Sequence, residues 1–153
     1  MNVFKAIAAL AVWACFAPGH AADAAAPGTS APPAAAQQAY DRLIAVKQFA
    51  FGGVGFAGTT SEGEKAFRTI LASPNALRLF RLALSKGSTE AKLYALSGFR
   101  QLDQRSFDTE SKALVEANPE ATTMSGCIVR HEQAAAVVKR IADGMYDGAG
   151  LLE

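Results

Sequence analysis

Two residues near the C-terminus, Cys127 and His131, have the types and spacing that nucleophilic catalysis by a thiol could use. Residues four apart lie on one face of a helix, where an imidazole can take the proton of a thiol. Catalysis would also need a group that orients the imidazole and donors that hold an oxyanion, and the sequence specifies neither. Because apolar residues flank Cys127, we expect a buried, unreactive thiol and no catalytic residue.

A second candidate is the glycine-rich segment in which Gly53, Gly55 and Gly58 match G-x-G-x-x-G. Such glycines let backbone N–H groups approach a phosphate at a helix N-terminus. That chemistry requires a strand before the loop and a helix directly after it. A helical pattern precedes this loop instead, and Thr59 and Thr60 separate it from the next helix. We therefore expect no bound nucleotide and no other cofactor.

The same segment carries three apolar side chains, Phe51, Val54 and Phe56. We expect a loop that packs them over a helical core. If they are exposed instead, they form a lip that binds a partner, because contiguous exposed apolar groups mark interaction sites.

A metal site is not expected. His131 and Glu132 begin like the helical zinc motif H-E-x-x-H, but Ala135 stands where the second histidine should be. The other histidine, His20, belongs to the N-terminal segment that we expect to be removed or to form a tail. Too few ligands of suitable type remain for zinc.

The N-terminus reads as a bacterial export signal. Lys5 is followed by an apolar run over residues 6–17, and Pro18 and Gly19 precede a small-residue cleavage site. We predict a signal peptide over residues 1–21 and a periplasmic or secreted protein. The alternative is a lipid-anchored outer-membrane lipoprotein, since Cys15 follows a lipobox-like triplet and could be acylated.

Composition limits what the exported part can do. The chain has 15 basic and 14 acidic residues. Loss of Lys5 with the signal would leave 14 of each. This balance argues against nucleic acid as a partner, and against a membrane except through an anchor at Cys15. Cys127 becomes the lone thiol of the mature chain, so no intramolecular disulfide can form.

Helical patterns dominate the rest of the chain. We predict an Ala/Pro-rich disordered linker over residues 22–38, one all-α domain over 39–146, and a frayed tail over 147–153. Five or six short helices are expected, in a compact bundle or a stack of helix pairs. They include a first helix over 34–49 and a last helix over 130–143. Residues 122–129 fit either a short extended segment or a buried loop. No useful stretch alternates with period two, so no β-sheet is expected.

Residues 89–103, TEAKLYALSGFRQLD, resemble the second helix of a HEAT-like α-solenoid repeat. Small residues occupy the pairing positions and an aspartate stands at the end, although Gly98 lies within the helix. The resemblance covers less than half of the chain and rests on the pattern of residue types, not on a diagnostic motif. The resemblance implies a scaffold that binds other proteins and transfers no catalytic residue.

These observations predict an exported, non-enzymatic module that binds another protein of the bacterial envelope, such as an inhibitor or immunity protein for a toxin or hydrolase. One alternative is a carrier of a lipid or small apolar ligand, with a pocket lined by aromatic residues: Phe49, Phe51, Phe56, Phe67, Phe80 and Phe99. A less favoured alternative is an enzyme that uses Cys127.

Overall fold

A computed structural model of the chain describes residues 32–150, with the side chains of 149 and 150 excepted. The predicted signal peptide, Cys15 and most of the predicted linker lie outside the described residues. In chain order the elements are α1 (Ala34–Ile44), β1 (Gly53–Val54), β2 (Thr59–Thr60), α2 (Glu62–Leu71), α3 (Ala76–Lys86), α4 (Thr89–Leu102), α5 (Gln104–Ala117), β3 (Glu120–Ser125), β4 (Ile128–Gln133), α6 (Ala134–Ala142) and a short 3-10 helix, Asp147–Gly150.

The core is built around α4. This helix contacts each of the other five helices, and its residues from Leu93 to Phe99 are all buried. A helix surrounded on every side has no solvent-facing stripe, and so its sequence is apolar or small nearly all round. Gly98, unusual within a helix, lies directly against the buried Phe80 ring. The close approach explains why a residue that weakens helices is placed there.

Local capping and turn residues define several helix ends. Ser61 caps α2 by accepting a hydrogen bond from the Glu64 amide at 3.0 Å, and Ser88 caps α4 through the Ala91 amide. Gly87 ends α3, and Asn118 ends α5 in a left-handed conformation with φ of 41°. Side-chain caps satisfy amides that the first helical turn leaves unpaired.

The expected absence of β-structure is wrong. Residues 32–150 are mostly helical, but within them β1 pairs with β2 and β3 with β4 as two antiparallel hairpins. Residues 130–133 therefore belong to β4, and the last helix begins at Ala134 and not near residue 130. Phe49 joins the outer side of β3, because its amide donates to the Thr122 carbonyl and its carbonyl accepts from the Met124 amide.

Helix α1 begins at Ala34, as predicted for the first helix, so the predicted linker extends five residues too far. The helix ends at Ile44, five residues before its predicted end at 49. The predicted tail begins with the short 3-10 helix. Helices α1 and α2 pack on each other, as do α3 and α4, and the HEAT-like resemblance of these pairs stays a prediction.

Candidate functional site

A cleft of about 390 Å³ lies between the β3–β4 hairpin, α6 and the residues that follow α6. Strands β3 and β4 supply one wall, with Thr123 directly opposite Arg130 in the register. Arg140 of α6 and Met145 complete the opposite side. The cleft combines apolar contact area with charged groups, which is the usual composition of a binding site.

Three aromatic rings form its apolar floor. Phe51 stacks on Tyr146 with a centroid distance of 5.2 Å, and Phe49 meets Tyr146 edge to face at 5.1 Å. The same two phenylalanines continue inward to the buried Tyr94. The floor is therefore held by the core, and its shape does not depend on the hairpin alone.

A polar network crosses the cleft at Glu132. Its Oε1 accepts a hydrogen bond from Thr123 Oγ1 at 2.6 Å and from an Arg140 terminal nitrogen at 2.7 Å. Arg140 Nε also donates to the Tyr146 hydroxyl at 3.2 Å. The hydrogen bond between Arg140 and Glu132 is the main cause of two pKa shifts. It lowers the pKa of Glu132 and raises the pKa of Arg140.

This network predicts a pH-dependent contribution to stability. A carboxyl whose pKa is lowered by folding stabilises the protein above its unfolded-state pKa, near 4.5, and loses that effect as the pH falls through the folded-state value. We expect Glu132→Gln to lower the free energy of unfolding by about 1–2 kcal/mol at neutral pH. The difference from the wild-type protein should begin to shrink as the pH falls below about 4.5 and should vanish once the pH has passed the lowered folded-state pKa of Glu132, as urea denaturation at a series of pH values would measure.

Glu120→Gln on β3 is the matched control. This carboxylate is exposed, and its contact with the exposed His131 is long, at 3.7 Å. Its substitution should change stability far less. A Glu132→Gln deficit that persists unchanged at pH 3 would contradict the assigned network.

Arg130 brings an additional positive charge to the cleft. Its side chain is exposed, and no carboxylate of residues 32–150 forms an ion pair with it. Glu132 is matched by Arg140, so Arg130 leaves the cleft with a net positive charge. An arginine in this setting can bind a carboxylate of a ligand through two parallel hydrogen bonds.

The tips of the two hairpins meet next to this wall. The Gly55 amide donates to the Gly126 carbonyl at 2.9 Å. Around this contact, four side chains are exposed to solvent, and we call them the hairpin-tip surface: Phe56, Cys127, Ile128 and Val129. Phe56 is fully exposed, while Ile128 and Val129 are 55% and 51% exposed.

The three residues predicted for partner binding are separated by the structure. Phe51 is half-buried in the aromatic floor, and Val54 is buried next to the turn of the first hairpin, where it lies beside Gly126. Phe56 alone projects into solvent from the turn. The glycine-rich segment is this β-hairpin, and its turn residues Gly55 and Gly58 have positive φ. It is not a loop that leads directly into a helix, and so it differs from the strand–loop–helix arrangement in which G-x-G-x-x-G holds a phosphate.

The expectation that Cys127 is buried is wrong. The thiol is exposed, because Gly126 and Cys127 form the two-residue turn of the β3–β4 hairpin. His131 lies on β4 opposite Thr122. Four residues along a strand span roughly 13 Å, whereas they would be about 6 Å apart on a helix. The strand therefore separates the thiol from the imidazole.

The predicted carrier pocket is also not formed by its six phenylalanines. Phe67, Phe80 and Phe99 are completely buried and pack against one another in the core. Phe49 and Phe51 reach the cleft, while Phe56 lies on the turn. Sequence reasoning named neither Arg140 nor Tyr146 as part of a site, since only the packing of α6 brings them to the hairpin.

Within residues 32–150, no group of three His, Cys, Asp or Glu side chains lies close enough to hold a metal ion. In the same part of the chain, no helix has the length and apolar character needed to cross a bilayer. Comparison with protein-family models, with curated proteins and with solved structures gives no match.

Proposed function

We propose that this chain is an exported, non-enzymatic module that binds another protein of the bacterial envelope through the hairpin-tip surface and the cleft. The export signal of the sequence supports the location. The observation that carries the proposal is the exposure of Phe56 in the turn of the first hairpin and of Ile128 and Val129 at the start of β4, next to the contact that joins the two hairpins. Large apolar side chains grouped at one exposed place are unfavourable in water and are characteristic of interaction sites.

The two turns hold these side chains in fixed positions. The main-chain hydrogen bond between Gly55 and Gly126 joins the hairpins. Phe49 anchors β3 to the core, because its backbone pairs with the strand and its ring is buried. A rigid apolar group loses little conformational entropy on binding, which favours affinity.

The cleft adds chemical selectivity to this surface. Arg130 supplies positive charge, and the rings of Phe51 and Tyr146 supply apolar area. A partner segment with an apolar side chain next to an acidic group fits both features. The specific form that we propose is an inhibitor or immunity protein, whose projecting hairpin tips enter a groove of a toxin or hydrolase and block it.

The first test is affinity capture of the C-terminally tagged protein from the envelope of its own host. We expect one protein to co-elute in stoichiometric amount. The exposed Cys127 then gives a direct readout of the surface used, because bound partner should slow its alkylation at neutral pH. A partner that leaves the alkylation rate unchanged would place the interface elsewhere.

Surface variants test the same point quantitatively. We expect the double variant Phe56→Ser/Ile128→Ser to weaken binding roughly thirtyfold, since central apolar anchors dominate interface energies. Val115→Ser is the matched control, because Val115 is 41% exposed on α5 and lies outside this surface. Isothermal titration calorimetry with the captured partner measures both. Equal affinities of the two variants would contradict the proposed surface.

Two outcomes would overturn the function itself. One is a turnover activity of the purified protein that substitution of its own residues abolishes. The other is the recovery of a lipid or small molecule in place of a protein partner, as native mass spectrometry would show. That result would favour a carrier that holds its ligand in the cleft.

A further inference from the structure

The outer edge of β4 presents unused backbone hydrogen-bonding groups. Within residues 32–150, β3 is the only strand that pairs with β4, and every β4 residue except Glu132 is exposed. An exposed strand edge of this kind is a template for pairing with another strand.

The hydrogen bonds of β3 fix which β4 groups face outward. The Thr122 carbonyl and the Met124 amide bond to Phe49, on the side away from β4. Residues opposite them in β4 therefore form the non-hydrogen-bonded pairs of the antiparallel ladder. These residues are His131 and Val129, and by alternation Gln133. Their N–H and C=O groups consequently point to the free edge.

Side-chain alternation gives this edge a self-complementary charge pattern. Arg130 and Glu132 project from one face of the strand, two residues apart, on either side of His131. If a second copy pairs antiparallel about a twofold axis at His131, each Arg130 lies opposite Glu132 of the second copy. An axis at Arg130 or at Glu132 would instead place like charges opposite each other, which is unfavourable.

The Glu132 carboxylate has room for this additional interaction. Its Oε1 accepts the hydrogen bonds from Thr123 and Arg140, whereas no residue among 32–150 donates to Oε2. Arg130 likewise forms no ion pair within the described part of the chain. Glu132 can therefore pair across an interface through Oε2 while its Oε1 keeps the hydrogen bonds to Thr123 and Arg140.

We propose that two copies of this chain associate through the outer edges of β4, with the twofold axis at His131, and form a continuous four-stranded antiparallel sheet. The central ladder joins Val129, His131 and Gln133 of one copy to Gln133, His131 and Val129 of the other. Two Arg130–Glu132 pairs flank the axis and select this register. The proposal concerns self-association and does not depend on the envelope partner proposed above.

The test is sedimentation velocity of the full mature chain across micromolar concentrations, with a reductant present to exclude a disulfide through Cys127. We expect a concentration-dependent dimer. His131→Pro should abolish it and leave the fold intact, because proline is tolerated where an edge-strand N–H faces solvent. His131→Thr is the matched control, since threonine keeps the N–H and suits a strand, and it should remain dimeric.

Arg130→Glu is the second variant and addresses the register. It places glutamate opposite Glu132 of the second copy at two sites, so we expect roughly tenfold weaker dimerisation. Circular dichroism and thermal unfolding check that each variant is folded. A wild-type chain that stays monomeric throughout, or a dimer that neither His131→Pro nor Arg130→Glu weakens, would overturn the proposal.

Discussion

Glu64→Ala is expected to lower the free energy of unfolding by about 2–3 kcal/mol. The Glu64 carboxylate is 1% exposed and connects α2 to the segment that leads into the first hairpin. Its Oε2 accepts from the Gly52 amide at 2.8 Å, and its Oε1 accepts two hydrogen bonds from Arg68. Alanine would leave Arg68 without its partner and would free the segment that leads into the first hairpin. Chemical denaturation measures the loss.

Glu62→Ala provides the matched control on the same helix. Glu62 also lies in the first turn of α2 and pairs with Lys65, but both side chains are exposed. Ion pairs in water contribute little, because solvent already stabilises the separated charges. We therefore expect a much smaller loss than for Glu64→Ala. Equal losses for the two variants would show that burial of the Glu64 network is not the source of its effect.

Gly98→Ala is expected to destabilise the protein by about 2 kcal/mol, although alanine favours helices over glycine by about 1 kcal/mol. A Cβ at this position would lie within 2.6 Å of three carbon atoms of the Phe80 ring. Phe80 is fully buried and packs against Phe67, so its ring cannot move aside without cost. Thermal or urea unfolding would show whether Gly98→Ala lowers or raises the free energy of unfolding. A decrease means that the clash with Phe80 outweighs the helix propensity of alanine, and an increase means the reverse.

A double-mutant cycle identifies the clash as the cause. Phe80→Leu alone should destabilise the core by removing aromatic contacts. Combined with Gly98→Ala, it should cost less than the sum of the single changes, because leucine leaves space for the new methyl group. Additive losses, or a stabilising Gly98→Ala, would contradict the close packing of α3 on α4.

The helices were predictable where the signal was local. Ser61 and Ser88 act as caps through their own side chains, and Gly87 and the Asn118–Pro119 pair end helices through backbone geometry. Each of these effects involves residues within one helical turn of one another. The sequence therefore specifies them without knowledge of the remaining chain.

The second hairpin was missed because β4 buries almost nothing. A strand reveals itself by alternation of buried apolar and exposed polar residues, but β4 is exposed along nearly its whole length. Its charged residues consequently resembled the start of a helix. One local signal was present, since glycine at the first position of a two-residue turn is typical of a tight hairpin. Gly126, with φ of 55°, occupies that position.

The cleft could not have been predicted from the same information. Glu132 and Arg140 are eight residues apart, yet they pair only because the strand ends at Gln133 and α6 begins directly after it. Tyr146 reaches Phe51 from the other side of the fold, far along the chain. Such contacts depend on how the elements pack, and no short pattern encodes them.

The position of α4 at the centre of the helices has a consequence for local opening of the chain. Amide hydrogens of α4 can exchange with solvent deuterium only when the surrounding helices separate, which is close to global unfolding. In the part of the chain that the structure describes, β4 pairs with β3 alone, so its amides can exchange through a much smaller fluctuation. Hydrogen exchange should therefore divide the fold into two parts, because β4 amides exchange through local opening while α4 amides stay protected until the chain is close to global unfolding.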